Sequence, residues 1–212
     1  MLRIIGGGLK GIEYQITSFS GSASATHTFS AHPIGDDKPS RYTVVLVTEG
    51  DLTTGVDTVT VGGNSATKVM HILTAYTVWI ATAPAGTTAD IVVTADSGGD
   101  GQLSDVGIHV ISLFGISSST PFGSYNPGAN SDPHNMSVNI PSDGLVIGWC
   151  VNGIAGSVAW SGLFDDTDEV FDGNVGLSVD QAVAVGRLGE ATPGTITTTT
   201  GSAHYSAALS WS

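Results

Sequence analysis

The stretch RYTVVLVTEG (residues 41–50) decides the fold class. It is short, rich in β-branched residues and ends at a glycine, which is typical of a β-strand. The nearest approach to a helical pattern is SVDQAVAV (178–185), and its flanking glycines and valines leave it ambiguous. Ten strands are predicted: residues 41–50, 57–63, 77–83, 89–95, 107–115, 136–140, 144–152, 176–188, 194–202 and 205–212.

These strands predict an all-β fold, a jelly-roll-like β-sandwich of about eight to ten antiparallel strands. In several strands apolar and polar residues alternate, as Val138 and Ile140 do with Ser137 and Asn139, so one face should be buried. The last strand alternates as well, with one exception at Ala208. Its expected inward residues are Ala207, Leu209 and Trp211, opposed by Ser206, Ser210 and Ser212.

The chain is expected to form one domain, with a sandwich from residue 41 to 212 and an arm with the first strand or strands in residues 1–40. A faint internal echo links TAPAGTTADI (82–91) to ATPGTITTTT (191–200). It suggests two similar halves of one double-sheet barrel, and chance similarity of Pro/Gly turns is an equal alternative.

Composition limits the classes of partner. The chain has 19 acidic and 6 basic residues, a net charge of −13, and only 12% charged residues. This charge repels phosphate and anionic head groups, so neither nucleic acid nor a membrane is an expected partner. The single Cys150 excludes an internal disulfide, and no signal peptide or apolar span is indicated.

The first glycines have the GxGxxG spacing of a dinucleotide-binding turn, at Gly6, Gly8 and Gly11. Such a turn must open a helix that meets the pyrophosphate, with an acidic residue about twenty positions further on. The residues that follow favour strands instead, so we expect no cofactor. The glycines are better explained as part of a terminal arm that docks on a neighbouring subunit.

The acidic stretch FDDTDEVFDGN (164–174) contains the best metal candidates. Asp165, Asp166 and Asp168, with Glu169 and Asp172, offer the oxygen ligands that Ca²⁺ takes. The spacing is not that of a calcium-binding helix-loop-helix, and a solvated acidic loop is the favoured alternative. We therefore predict no metal site.

Histidines and serines provide no catalytic motif. The six histidines are scattered without zinc-site spacing, and no GxSxG surrounds a serine. His109 is predicted to be a strand residue whose ring has a hydrogen-bond partner. We expect no catalytic residues.

Aromatic residues divide into core and contact candidates. Trp79, Trp149 and Trp211 lie within predicted strands and should be core residues. Other positions lie in loop-like or terminal contexts and could contact a ligand or another subunit. These partner-binding candidates are Arg3, Ile4, Lys10, Phe122, Tyr125 and Trp160.

The sequences RYTVVLVTEGD, VTVGGNSATKV, APAGTTADIVVTA and SAHYSAALSWS resemble the small β-sandwich structural proteins of tailed-bacteriophage virions. The resemblance covers most of residues 40–212, and its motifs consist mainly of hairpin and turn residues. It implies a non-enzymatic head decoration, spike, fibre or tail component, located in the virion and assembled in the host cytoplasm. Its implied partners are capsid or tail proteins and further copies of itself.

Two alternatives stay open at this stage. The first is a carbohydrate-binding module that contacts a host glycan, for which changes at Trp160 or Asp168 would be diagnostic. The second is a hydrolase, which only the abundance of serines favours.

Overall fold

The computed structural model describes residues 3–5, 10–50, 54–73, 75–97, 100–125, 131–153, 157–165, 168–174, 179–189 and 192–212. These residues form strands, turns and loops without a helix. The strands are β1 (Arg3–Ile5), β2 (Gly11–Ser20), β3 (Thr26–Pro33), β4 (Tyr42–Glu49), β5 (Val56–Val61), β6 (Asn64–Ser65), β7 (Thr67–Leu73), β8 (Tyr76–Thr82), β9 (Thr88–Ala95), β10 (Val106–Phe114), β11 (Gly123–Tyr125), β12 (His134–Ile140), β13 (Gly144–Asn152), β14 (Ala159–Gly162), β15 (Glu169–Asn174), β16 (Asp180–Leu188), β17 (Thr192–Thr199) and β18 (Tyr205–Trp211).

The predicted all-β fold is confirmed. All ten predicted strands are present, and SVDQAVAV contributes to β16 rather than to a helix. His109 is a buried strand residue, as predicted. Trp79, Trp149 and Trp211 are also buried, which confirms them as core residues.

The chain divides into two compact units, which the domain expectation did not include. The N-terminal sandwich comprises Glu13–Gly115, and the C-terminal sandwich comprises Arg3–Ile12 and Ile116–Ser212. Residue 40 is not a boundary in this division, because β3 pairs with β9 and buries Phe29 in the core of the N-terminal sandwich.

The N-terminal sandwich is built from two antiparallel sheets. One has the order β2-β10-β4-β8-β7, and the other has the order β3-β9-β5-β6. The core between them contains inward residues of both sheets, including Val45, Trp79 and Ile108 from the first and Phe29 and Ile91 from the second.

The C-terminal sandwich repeats this topology. Its sheets have the orders β11-β18-β13-β16-β15 and β12-β17-β14. Each strand has the place of its counterpart in the N-terminal sandwich, and only the three-residue β1 and the two-residue β6 have no equivalent among the described strands. The core contains Met136, Val146, Trp160, Phe164 and Ile196. The predicted strand number of eight to ten therefore describes one unit, and the described residues contain two such units.

The repeat gives the internal echo a structural basis. The apolar blocks at residues 41–49 and 144–152 form β4 and β13, which have equivalent positions in the two sandwiches. The Pro/Gly turns are not equivalent, because Pro84 precedes β9 whereas Pro193 lies inside β17, opposite Asn139. The internal similarity therefore lies in strands with equivalent positions in the two sandwiches, but the two Pro/Gly turns do not have equivalent positions.

The predicted burial of Ala207, Leu209 and Trp211 is confirmed, but the prediction that the last strand buries only one face is wrong. Ser206 and Ser210 are completely buried, and between them Ala208 packs in the core with Cys150 and Val146. The opposite face of β18 is also buried. Alternation in this strand therefore separates two buried faces, and small hydroxyl side chains occupy the inner one.

Candidate interaction surface

One side of the C-terminal sandwich is formed by β11 and β12, the terminal strands of its two sheets, which pack against each other at Gly123 and Asn139. Phe122 lies immediately before β11 and is 58% exposed. Its backbone N–H donates to the carbonyl oxygen of Ser210 at 2.8 Å, which anchors the backbone beside β18. An anchored backbone with an exposed ring is a feature of contact surfaces rather than of cores.

The equivalent side of the N-terminal sandwich is formed by β2 and β3. Ile16 and Phe19 lie on β2 and are 47% and 41% exposed. Together with Phe122, they are the large hydrophobic side chains exposed among the described residues. All three therefore lie on topologically equivalent sides of the two sandwiches.

These sides are also poor in charge. The strands β3, β11 and β12 contain no Asp, Glu, Lys or Arg, and neither does β2 from Tyr14 onward, although Asp132 lies two residues before β12 and Asp105 lies beside Gly21 at the end of β2. By contrast, β15 at the other edge of its sheet contains Glu169 and Asp172. In a chain with a net charge of −13, uncharged edges with apolar side chains can be buried against a protein partner without stranding a charge.

Of the predicted aromatic contact residues, only Phe122 is exposed as expected. Trp160 is not in a loop: it lies in β14, is 4% exposed, and donates from Nε1 to Glu169 Oε2 at 2.8 Å. The short AWSG strand resembles a loop in sequence, but its pairing with β17 turns the indole into the core. Tyr125 lies in β11, is half-buried, and has its ring 6.0 Å from that of His134.

The basic N-terminal candidates have less definite positions. Arg3 and Ile4 belong to β1, and their side chains lie outside the described part of the chain. Lys10 is half-buried and donates from Nζ to the carbonyl oxygen of Asp143 at 3.5 Å. Its own carbonyl accepts from Arg187 at 3.4 Å, so Lys10 is held within the C-terminal sandwich.

Two of the calcium candidates form a local turn. The Asp165 N–H donates to Asp168 Oδ2 at 3.1 Å, and the Asp168 N–H donates to the Asp165 carbonyl oxygen at 3.0 Å. Asp166 lies outside the described residues. Within the described ranges, no group of three or more His, Cys, Asp or Glu side chains is arranged to hold a metal ion.

The glycine motif leads into a strand. Gly6 and Gly8 lie outside the described residues, whereas Gly11 is the first residue of β2. The segment that follows is therefore extended, as its β-prone composition predicted. Free N–H groups of a helix N-terminus, which a pyrophosphate requires, are not provided by residues 11–20.

A buried hydrogen-bond chain crosses the C-terminal sandwich. His204 Nε2 lies 2.7 Å from Thr198 Oγ1, which lies 2.7 Å from Ser206 Oγ. On the other ring nitrogen, His204 Nδ1 lies 3.0 Å from the Ser202 carbonyl oxygen and 3.1 Å from Thr200 Oγ1, with Asp132 Oδ1 further away at 3.7 Å. The order of acid, histidine and hydroxyl resembles a hydrolase triad, but His204, Thr198 and Ser206 are at most 1% exposed. Their hydroxyls bind one another inside the core, where a substrate does not reach them.

The same region holds two groups whose pKa values are shifted by burial. Burial raises the pKa of the Cys150 thiol to about 12, so the thiol is protonated and unreactive. Burial and the nearby His204 lower the pKa of His134, whose ring lies 5.8 Å from that of His204. Both groups are therefore part of the packed interior of the C-terminal sandwich.

The N-terminal sandwich has a corresponding polar cluster. His109 Nδ1 lies 3.0 Å from the Tyr14 hydroxyl and 2.8 Å from Thr17 Oγ1, and the two oxygens contact each other. Burial raises the pKa of Tyr14 to about 12, so the hydroxyl keeps its proton. The predicted hydrogen-bond partner of the His109 ring is thus confirmed, and the cluster links β2 to β10.

Arg41 acts as a clamp between two loops. Its guanidinium donates to the carbonyl oxygens of Gly35, Asp36, Pro84 and Gly86 at 2.5–2.8 Å. The residue is 3% exposed. Arg41 therefore stabilises the two loops, because without it four backbone carbonyl groups would lose these hydrogen-bond donors.

An open cleft of about 280 Å³ lies beside these loops. Its lining includes Glu13, Gln15, Asp36 and Thr88. Glu13 is buried and accepts a hydrogen bond from Lys38 Nζ at 2.9 Å. The hydrogen bond to Glu13 raises the pKa of Lys38, and the Lys38 ammonium group covers one side of the Glu13 carboxylate.

A histidine motif is also repeated in the two halves of the sequence. The pattern S-x-x-H-x-x-S occurs as Ser24-His27-Ser30 and again as Ser131-His134-Ser137. Ser24 bridges to Leu103 and Ser131 bridges to His204, immediately ahead of the last strand of each sandwich. His27 and His134 are buried at equivalent positions, so a search for repeats at this pattern would have found the two units.

Comparisons with protein-family models, with curated proteins and with solved structures found no match for this chain. In the described part of the chain, no helix is long and apolar enough to cross a membrane.

Proposed function

We propose that this chain is a non-enzymatic structural component of a tailed-bacteriophage virion, a head decoration, spike, fibre or tail protein that acts by protein–protein assembly. The observation that carries the proposal is the position of Ile16, Phe19 and Phe122. These exposed apolar side chains lie on topologically equivalent sides of the two repeated sandwiches.

The chemistry of these sides supports assembly. A strand at the edge of a sheet can pair with a strand or loop of another protein, which would also cover the apolar side chains. The remaining acidic surface keeps particles and free subunits apart and soluble. Polar groups in the interior, such as Arg41 and His204, are engaged with backbone and side-chain partners and support a rigid scaffold.

The proposal is tested by co-sedimentation of the purified chain with shells and tails of the phage that encodes it. Phe122→Lys adds a charge to the β11/β12 side and is expected to reduce binding at least tenfold. The matched control is Ser161→Lys, at an exposed residue of β14 in the same sandwich. Absence of the chain from purified particles, with no affinity for shells or tails, would refute the proposal.

A second candidate function, glycan binding, is favoured by the cleft beside Glu13. Carboxylate, amide and hydroxyl side chains around an open cleft are groups that bind sugar hydroxyls. Trp160 is buried and cannot contact a glycan. The test therefore measures binding of the Gln15→Ala and Asp36→Asn variants to a glycan array, with and without Ca²⁺. Binding that both substitutions abolish would favour this function over assembly.

A further inference from the structure

The inference concerns the open cleft of about 280 Å³ beside Glu13, and it assigns a ligand to that cleft. All of the lining residues belong to the N-terminal sandwich, and they come from β2, from the end of β3 with the loop after it, and from the start of β9. The polar ones are Glu13, Gln15, Asp36, Thr87 and Thr88. The volume is at the lower end for ligand pockets, which leaves room for about one side chain.

The walls of the cleft are held by contacts within this sandwich. The Arg41 guanidinium donates to the carbonyl oxygens of Gly35 and Asp36 at 2.8 and 2.6 Å. The Ile34 N–H donates to the carbonyl oxygen of Thr87 at 2.9 Å, which joins the two walls. A cleft that is already formed costs a ligand little ordering of the protein.

Glu13 brings a buried carboxylate to the cleft. Its side chain is 1% exposed, and Oε1 accepts a hydrogen bond from Lys38 Nζ at 2.9 Å. Oε2 has two longer contacts, with Gln15 Nε2 at 3.3 Å and with the Asp36 N–H at 3.4 Å. Both exceed the usual range of about 2.7–3.2 Å. Oε2 can therefore accept a further, charged donor.

The charges around the cleft favour a cation. Glu13 and Asp36 are both acidic, and none of the described lining residues is basic. Lys38 Nζ already lies 2.9 Å from Glu13 Oε1 and 3.3 Å from Asp36 Oδ2, but its side chain is 44% exposed. One ammonium group against two carboxylates leaves a net negative charge. The cleft should therefore repel phosphate and carboxylate ligands and attract a second cation.

Among cations, a guanidinium group matches the acceptors best. The Gln15 amide oxygen and the hydroxyls of Thr87 and Thr88 add neutral acceptors to the two carboxylates. A guanidinium group has five donors in a fixed plane, whereas an ammonium group has three. We propose that the cleft binds an arginine side chain of a partner protein, with the guanidinium group held by Glu13 and Asp36. That the partner is a virion protein rests on the proposed function.

The test is an NMR titration of the ¹⁵N-labelled full-length chain with N-acetylarginine amide. N-acetylcitrulline amide is the matched control, because it has the same length and shape without the charge. We expect the arginine probe to shift the amide signals of Gly35, Asp36 and Thr88. The citrulline probe should bind about tenfold more weakly or not at all.

Two variants examine the acidic groups. Asp36→Asn should raise the dissociation constant of the arginine probe about threefold or more. Asp57→Asn removes the same charge from an exposed residue of β5, outside the cleft, and should leave the constant unchanged.

Lys38→Met gives the opposite prediction. It removes the ammonium group that competes for Glu13 and Asp36, so the arginine probe should bind about threefold more tightly or better. The probe should then also raise the melting temperature of Lys38→Met more than that of the wild type. Circular dichroism checks that each variant is folded. If Lys38→Met does not fold, the two probes and Asp36→Asn still decide the outcome.

Equal binding of the two probes would overturn the inference, and so would equal effects of Asp36→Asn and Asp57→Asn. A cleft that binds a sugar of the glycan array but not the arginine probe would overturn it in favour of glycan binding. The particle-binding assay separates this inference from the virion function. A chain that binds shells or tails but not the arginine probe refutes only the inference, whereas a chain that binds the probe but no particle refutes only the virion function.

Discussion

Ser112 and Ser210 have equivalent positions in the two sandwiches and form the same hydrogen bond. Ser112 Oγ donates to the carbonyl oxygen of Ile34 at 2.7 Å, and Ser210 Oγ donates to that of Asn139 at 2.6 Å. Each serine is completely buried on the last strand of its unit. Each acceptor belongs to the first strand of the opposite sheet or to the residue after it, so one hydroxyl ties the two sheets together.

Substitution of either serine by alanine is expected to destabilise its sandwich. Ser112→Ala leaves the buried carbonyl of Ile34 without this donor, and Ser210→Ala removes the part-buried bond to Asn139 and leaves a small gap in the core; each is expected to cost about 1–3 kcal/mol. Denaturant unfolding, followed by fluorescence, measures the loss.

Ser117→Ala is the control for this pair. Its hydroxyl lies 2.7 Å from that of Ser212 at an exposed site, where water can replace the partner. A change of less than about 0.5 kcal/mol is expected there. Equal effects at Ser117 and Ser210 would contradict the role assigned to burial.

The contrast between β12 and β18 shows how far the sequence predicts the fold. β12 alternates between buried and exposed residues, and its inward residues Val138 and Ile140 could be predicted from that pattern. β18 is buried on both faces, so its serines have no exposed side. Alternation of polar and apolar residues predicts the orientation of a strand only when one of its faces is exposed to water. Nothing in the sequence of β18 indicates that both of its faces are buried.

The candidate surface was harder to predict than the strands. Phe122 follows a proline in a Ser/Gly-rich segment, which correctly suggested exposure. Ile16 and Phe19 lie in a regular strand, where apolar residues normally indicate a core. Trp160 was assigned to a loop because its strand has only four residues, and its burial depends on pairing with the distant β17. Such long-range pairing has no local signature.

Arg41 should be required for the stability of the N-terminal sandwich. Arg41→Met removes donors to four loop carbonyls and is expected to lower the free energy of unfolding by about 3 kcal/mol. Arg41→Lys should recover only part of it, because an ammonium group cannot reach all four acceptors. The comparison variant Arg187→Met removes a partly exposed pair with Asp143, and a smaller loss is expected. A larger loss at Arg187 would contradict this assignment.

His134 should make the C-terminal sandwich sensitive to mild acid. Its pKa is lowered from the ordinary 6.5 by burial and by His204, so the unfolded chain takes up this proton at a higher pH than the folded chain. Between the pKa of His134 in the folded chain and its pKa in the unfolded chain, the free energy of unfolding therefore increases with pH. The sandwich loses stability as the pH falls below about 6.5. Urea unfolding at several pH values measures the slope.

His134→Gln should flatten that slope, whatever its effect at neutral pH. His71→Gln, at an exposed histidine of β7, is the control and should leave the slope unchanged. An identical pH dependence in wild type and His134→Gln would show that His134 does not contribute.

Cys150 should be unreactive in the folded protein. It is completely buried, and burial raises its pKa to about 12, so at pH 8 the thiol stays protonated. We expect no reaction with Ellman's reagent over the time in which the unfolded chain reacts fully. A rapid reaction of the native protein would mean that the C-terminal core opens readily, contrary to its packing.

Gly148 tests how tightly the C-terminal core is packed. A Cβ atom at this position would lie 2.8 Å from Trp160 Cζ3 and 2.9 Å from Phe164 Cε2, and both rings are buried. Gly148→Ala is therefore expected to destabilise the sandwich by about 1–3 kcal/mol through overpacking. Gly153→Ala is the matched control, because no atom lies within 4 Å of its Cβ position. A Gly148→Ala variant as stable as Gly153→Ala would mean that the two rings can move apart, and that the contact between β13 and the Trp160 ring is looser than described.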